Sequence, residues 1–393
     1  MNEQTSIYIH IPFCEKRCSY CDFNTYAGIN HLIPKYIDAI LSEIKIYGEV
    51  LGEHTPIKTI FFGGGTPSLL KNFQFEGILN LLFKTFNCSE TQEISLEANP
   101  GTVDLNYLFD LRKVGFNRIS FGVQSDQGKF LELMGRIHDH NGSIQAINFA
   151  RKARFENINI DLIYGLPDQT LKEWEQTLNA ILSLQPQHLS LYALGVEENT
   201  PLWSWIADGK VNSPDDDLTV SMYELAAELL ESHGFYGYEI SNFGKKDGDK
   251  DYQCIHNLQY WRNKPYIGIG AGAHGFINKY RTENLKTIPQ YIKSLQKNHI
   301  GSNQFSPAIE KLTSIDEFTE MQETMMVGLR LLDEGVSIPR FMERFNKSPV
   351  DVFASEIEYL LENELLKISS DEVITIPKEK IMVSNLVFQK FVN

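Results

Sequence analysis

From Ser6 to Gly195 the apolar and polar positions repeat one unit: a short β-rich run, then an amphipathic helical stretch. The runs are Ile7–Ile11, Thr59–Phe62, Glu93–Glu97, Arg118–Gln124, Ile158–Ile163 and His188–Tyr192, each rich in Ile, Phe or Val as buried strands are. In the first helical stretch Ile37, Ile40, Leu41, Ile44 and Tyr47 recur at spacings of three and four, after a Pro34 suited to a helix start. Further helices are predicted over 72–86, 104–114, 142–154 and 170–183. Such alternation demands a parallel α/β sheet with right-handed crossovers, either doubly wound or a barrel of fewer than eight units. Periodicity does not separate the two.

Beyond Gly195 the alternation fades. Asn212–Asp217 reads as a loop entering a helix that runs to about Ser232, Gly234–Ile240 as a strand, and Gly268–Gly275 as a glycine-dense turn. From about Asp316 the pattern changes to helices over 317–333, 338–346 and 350–365, a hairpin over Leu366–Ile376 and a last helix. Three helices with a β-wing form a winged-helix-like α+β module, an arrangement that packs or docks as readily as it binds DNA. The expected division is 1–235 for the barrel or sheet, 236–310 as a connecting segment, and 311–393 for the C-terminal module.

Composition narrows the function classes. The chain has 393 residues, 42% hydrophobic and 22% charged, with a formal net charge of -15. This balance excludes disordered and collagenous classes and makes nucleic acid a poor partner, because an acidic surface repels phosphate backbones. No apolar run is long enough to span a bilayer, and Met1–Gln4 has neither a basic n-region nor an apolar h-region. A soluble, cytoplasmic protein is expected.

Of five cysteines, Cys14, Cys18 and Cys21 stand at C-x3-C-x2-C spacing just past the first strand, while Cys88 and Cys254 are isolated. An odd, clustered set in a chain without a leader points to thiolate ligation of a metal or cluster rather than to disulfides. Three thiolates on a 4Fe-4S cluster leave one iron open to an exogenous ligand, whereas structural zinc needs a fourth ligand such as His10 or Asp22. Polar groups also gather where the strands end. Gly63-Gly64-Gly65-Thr66-Pro67 follows the second strand, Glu97 and Gln124 close the third and fourth, and Asp161 lies in the fifth. Left unpaired in a core, each would cost about 1 to 3 kcal/mol, so they either satisfy one another or hold a ligand.

The cysteine triplet at the end of the first strand of an α/β repeat resembles the radical S-adenosylmethionine (SAM) superfamily. The resemblance implies a partial (β/α)6 barrel of the triosephosphate-isomerase type, a 4Fe-4S cluster on Cys14, Cys18 and Cys21, and SAM chelated to the open iron for one-electron cleavage. It further implies SAM contacts from Gly64, Gly65 and Thr66, from Glu97, Gln124 and Asp161, from Arg136 to the SAM carboxylate, and from Tyr8 and Gly195. Taken alone, Tyr8 is a core tyrosine and Gly195 a turn glycine.

Tyr8–Cys14, Cys18–Phe23, the GGGTP turn, Gly122–Ser125 and Asp161–Pro167 together are similar to the oxygen-independent coproporphyrinogen III oxidase group, which contains the oxidase and a branch of heme chaperones. The oxidase pattern has a cysteine two residues after the third ligand, where this chain has Phe23, and an N-terminal extension that the thirteen residues before Cys14 do not provide. His256-Asn-Leu-Gln-Tyr-Trp261 matches the HNxxYW motif of the chaperone branch, which implies heme contact through His256, with Tyr260 and Trp261 packing on the porphyrin. The expected function is therefore heme binding and transfer to an acceptor protein. The alternative is radical decarboxylation of coproporphyrinogen III. The implied partners are the heme acceptor and an electron donor such as flavodoxin, ferredoxin or a quinone/NADH system, with any contact to membrane proteins peripheral. Cys254, two residues before His256, fits no heme-attachment signature, and Cys88 reads as inert.

Overall fold

The computed structural model describes residues 4–296 and 305–392. Six strand-helix units occur where the alternation places them: β1 (Thr5–Ile11), α1 (Ile33–Leu51), β2 (Ile57–Gly64), α2 (Asn72–Thr85), β3 (Glu93–Ala98), α3 (Leu105–Val114), β4 (Arg118–Gln124), α4 (His140–Lys152), β5 (Asn157–Tyr164), α5 (Leu171–Ser183), β6 (His188–Ala193) and α6 (Asp216–Ser232). Pro34 does sit in the first turn of α1, and Ile37, Ile40, Ile44 and Tyr47 form its buried stripe.

Strand order decides between the two architectures. Each of β1 to β6 pairs in parallel with its neighbour in sequence. A doubly wound sheet reverses order at a switch point. Here the order never reverses, so right-handed crossovers lay every helix on one face and the sheet curls around the other, as in a barrel. The barrel is partial: among the described residues the sheet runs on to thirteen strands in an open path. At one edge β7 (Asn242–Asp247) pairs antiparallel with β6. At the other edge, after α7 (Ile255–Trp261), β8 (Tyr266–Ile269) pairs parallel with β1 and is followed by antiparallel β9 (His274–Ile277), β10 (Tyr280–Asn284) and β11 (Ile309–Ser314).

The two faces of the six strands differ in chemistry. Ile7, Ile9, Ile60, Phe62, Leu96, Ile119, Phe121, Ile160 and Leu189 are buried against the helices. The alternate residues face inward and are mostly polar yet buried: Ser6, Thr59, Glu93, Ser95, Ser120, Asn159, His188 and Ser190. They satisfy one another. Thr59 Oγ1 donates to Ser6 Oγ at 2.8 Å, Asn159 Nδ2 lies 2.7 Å from both Ser120 Oγ and Asp161 Oδ1, and His188 Nδ1 is 2.6 Å from Asn159 Oδ1.

The C-terminal part has its own core, built from Met325, Phe341, Phe345, Phe353, Ile357, Leu360 and Ile374 among others. Its helices are α8 (Glu317–Gly328), α9 (Ile338–Phe345) and α10 (Ala354–Glu362), with a three-stranded sheet of Val336–Ser337, Val373–Thr375 and Lys367–Ile368. Several boundaries differ from the sequence reading. The first of these helices stops at Gly328 rather than 333, and the third breaks at Phe353, whose backbone leaves the helical region. The last segment is a short helix, Ser384–Phe388. The strand expected over Gly234–Ile240 shrinks to Phe235–Gly237, and the glycine-dense turn contains parts of β8 and β9. A β-carbon at Gly268 would sit 1.9 Å from the His274 carbonyl oxygen, so that hairpin closes only around glycine. No helix among the described residues is long and apolar enough to cross a membrane.

Phe62 is fully buried and meets Phe75 edge-on at 5.2 Å. Phe62→Ala is expected to destabilise the barrel by about 3 to 5 kcal/mol, read as a lower urea midpoint, because both the transfer free energy and the cavity count against it.

Candidate functional site

Residues at the C-terminal ends of the strands converge, as a barrel of this type requires. The GGGTP turn knits the three-cysteine loop in place: Gly65 N donates to Ile11 O at 2.9 Å and Thr66 N to Phe13 O at 2.8 Å, just before Cys14. The approach is so close that a β-carbon on Gly65 would meet Phe13 O at 2.7 Å. Gly64 adopts φ +112°, and its N–H donates to Glu97 Oε2 at 2.9 Å. Thr66 Oγ1 lies 3.7 Å from Cys14 Sγ. The far side of the loop is tied to the segment before Arg136, since Ser19 N and Oγ donate to Met134 O at 3.1 Å and Leu133 O at 2.8 Å.

Cys14, Cys18 and Cys21 line a cavity of about 430 Å³ together with Gly64, Gly65, Thr66, Glu97, Gln124, Arg136, Asp161 and Gly195. That size falls within the roughly 300 to 1,000 Å³ of small-molecule sites. Every residue named for the cluster or SAM except Tyr8 is thus brought to one place, and the heme candidate His256 is not. Among the described residues no group of three or more Cys, His, Asp or Glu side chains is already gathered closely enough to hold a single metal ion. Burial pushes the Cys14 and Cys21 thiols up from their ordinary range.

The polar lining suits an amino-acid-bearing cofactor. Arg136 reaches Gly122 O at 2.6 Å and Cys18 Sγ at 3.3 Å, while its Nε is buried without a partner, a donor left over for a carboxylate. Burial, then the neighbouring Asp161, raises the Glu97 carboxyl to about 7. Asp161 is also pushed up by burial, and its bonds from Ser120 and Asn159 oppose the shift. Gln124 has a backbone φ of +70°, strain of the kind stored at ligand sites.

Comparison with known proteins fits this geometry. Residues 8–181 match the radical SAM superfamily and residues 315–373 the HemN C-terminal domain. The chain is 36% identical over 387 residues to the heme chaperone HemW of Bacillus subtilis, covering 98% of each chain. It is 40% identical to HemW of Escherichia coli over 69% of this chain and 70% of that one. The chain belongs to the HemW heme-chaperone family. In fold it is similar to the coproporphyrinogen III oxidase HemN of Escherichia coli, with a TM-score of 0.84 at 22% identity over 99% of this chain and 90% of that one.

In this HemW-family chain the two remaining candidates lie elsewhere. Tyr8 borders a second cavity, which adjoins the first through Gly64, Glu97 and Phe23, and its hydroxyl is 2.9 Å from His10 Nδ1. His256 lines neither cavity. It lies inside the barrel, 1% exposed, stacked on Phe61 at 4.9 Å, with Nδ1 2.7 Å from Thr59 Oγ1 and Nε2 2.8 Å from Tyr260 Oη. Burial, then Arg118, lowers it to about 3, so the imidazole is neutral. The helix that carries it is anchored by Glu93, whose carboxylate accepts from Ile255 N at 2.9 Å and His256 N at 3.3 Å. Cys254 starts that helix; burial drives its thiol up to about 12, which keeps it protonated. Cys88, far from the site, donates to Leu82 O.

Sequence reasoning passed over Tyr20, Ile163, Tyr192 and Glu197, which also line the cofactor cavity. Tyr192 stood in plain view one residue before the end of β6.

The raised Glu97 carboxyl sets a pH signature for the cofactor-free chain. The folded state holds this proton more tightly than the unfolded chain, so its stabilising effect is complete below about 4.5 and lost as pH rises through about 7. Glu97→Gln is therefore expected to gain stability relative to the parent over that window and then to plateau, as read by thermal melts across pH.

Proposed function

We propose that this chain binds heme and passes it to an acceptor protein, holding a 4Fe-4S cluster on Cys14, Cys18 and Cys21 and SAM in the adjoining cavity. The observation that carries the reading is the match to HemW relatives along nearly the whole length, which includes the helix of His256, Tyr260 and Trp261. When bound, the cluster and SAM supply one-electron chemistry that no side chain here can supply. The chain's own groups bind and orient. Arg136 would offer its unpartnered Nε to the SAM carboxylate, and Glu97, Gln124 and Asp161 would present acceptors and donors to the rest of the cofactor. The backbone of Gly64, Gly65 and Thr66, which lines the cavity, would contact it.

His256 is a neutral imidazole, the form that ligates iron. As folded, Tyr260 caps its Nε2, so the ligand role asks Tyr260 to swing aside and give up a 2.8 Å bond. The decarboxylase alternative is favoured by the likeness of fold to the oxidase, and Phe23, in place of a fourth cysteine, opposes it.

The cluster-reconstituted chain is expected to bind one heme, seen as a Soret band, and to leave coproporphyrinogen III unconverted under anaerobic reduction. Turnover of the porphyrinogen without heme binding would sink the reading. His256→Ala is expected to change the Soret position, and Tyr260→Phe to ease ligation by uncapping Nε2. An unchanged band in His256→Ala would remove that residue from the iron while leaving the carrier role intact.

A further inference from the structure

The segment that carries Arg136 is fastened by a second side chain. Arg136 Nη2 donates to Gly122 O at 2.6 Å, and two residues on, His138 Nε2 lies 3.1 Å from Val123 O. These are consecutive carbonyls near the end of β4. Both are within reach because the register against β5 slips there: Gly122 stands opposite Asp161 and Gln124 opposite Leu162, which leaves Val123 as an extra residue. From just past β3, Asn99 Oδ1 lies 3.2 Å from the other ring nitrogen, His138 Nδ1. One buried imidazole thus ties the Arg136 segment to two strand ends.

The two partners fix where protons belong. Val123 O is a carbonyl and only accepts, so Nε2 carries a proton. Asn99 Oδ1 accepts from Gly101 N at 3.1 Å, which identifies it as the amide oxygen, and Nδ1 therefore faces a second acceptor. The site is shaped for imidazolium. Its charged neighbours are Arg136, which opposes a second positive charge, and Asp139, which favours one, while Asn99 and the Val123 carbonyl are neutral. Burial, then Arg136, lowers His138 to about 4, so near neutrality the ring has one proton for two acceptors. What the site lacks is an anion, and the buried Arg136 Nε that has no partner is where a carboxylate fits.

We propose that His138 is the positioning residue of Arg136, and that it takes a proton from solvent onto Nδ1 when a carboxylate seats against that guanidinium. The proposal rests on the SAM reading above and adds the residue that holds the arginine and the proton that accompanies the ligand. The carboxylate offsets the Arg136 charge, and the imidazolium then satisfies Asn99 and Val123 together. Arg136 is thereby fixed in the pose that meets its ligand.

The test is isothermal calorimetry of the anaerobic, cluster-reconstituted full chain with SAM at about pH 6 and about pH 8, each in two buffers of different ionisation enthalpy, which counts the protons taken up. With His138 returned by the ligand to its ordinary value of 6.5, the parent takes up on the order of half a proton more than His138→Gln at the lower pH and almost none more at the higher. Its affinity also rises about fourfold more than the variant's on going from the higher pH to the lower. Glutamine keeps a donor for Val123 O and does not titrate, and Glu97 titrates in both chains. His138→Phe, which has no donor, is expected to bind SAM about tenfold more weakly than His138→Gln at the higher pH. Equal proton counts in the parent and His138→Gln overturn the proton uptake, and equal affinities of His138→Phe and His138→Gln overturn the positioning role. A reconstituted parent that binds no SAM removes the SAM reading and this proposal together.

Discussion

The molecule is organised around a problem that six parallel strands create and cannot solve alone. Curling the sheet leaves an unclosed seam and turns a row of buried polar side chains inward, where unpaired groups are costly. Helix α7 answers both needs. Its N-terminal amides donate to the Glu93 side chain, and its His256 fills the interior between Thr59 and Phe61. The chain then adds β8 to the free edge of β1, so the seam is covered by a segment more than 200 residues away in sequence.

The same logic reaches the loop of Cys14, Cys18 and Cys21. A loop carrying three thiols has little core of its own, and its shape comes from backbone bonds to the GGGTP turn on one side and to the segment before Arg136 on the other. Glycine at position 65 permits that closeness, and Glu97 braces the turn from below. The loop, the turn and Glu97 are joined by these hydrogen bonds into one wall of the first cavity.

The strand-helix units, the cysteine triplet and the strand-end polar groups were legible because each leaves a local mark: period, spacing or a polar residue in an apolar run. What stayed hidden was non-local. Nothing in the neighbourhood of Tyr266 announces that it pairs in parallel beside β1, and short antiparallel strands such as β9 and β10 look like glycine-rich loop until a partner edge is present. His256 shows the limit most sharply. Its motif marked it as a ligand candidate, whereas its burial and its two hydrogen bonds depend on Thr59 and Tyr260 arriving from different elements. Asp161 likewise combines the two readings left open for it, paired from below with Ser120 and Asn159 and still facing the cavity.

Phe23 stands on the wall between the two cavities with 64% of its surface exposed, in a loop otherwise pinned at both ends. Water solvates that ring at a cost of roughly 25 cal/mol for each Å² of apolar surface, which is recovered only when something apolar covers it. Phenylalanine at this place offers an apolar ring to both cavities and no metal-binding atom. The same backbone carbonyl of Phe23 accepts from Arg17, so the apolar face and the cation at the rim are set by one short stretch of chain. Position 23 thus lines both cavities without being one of the three cysteines.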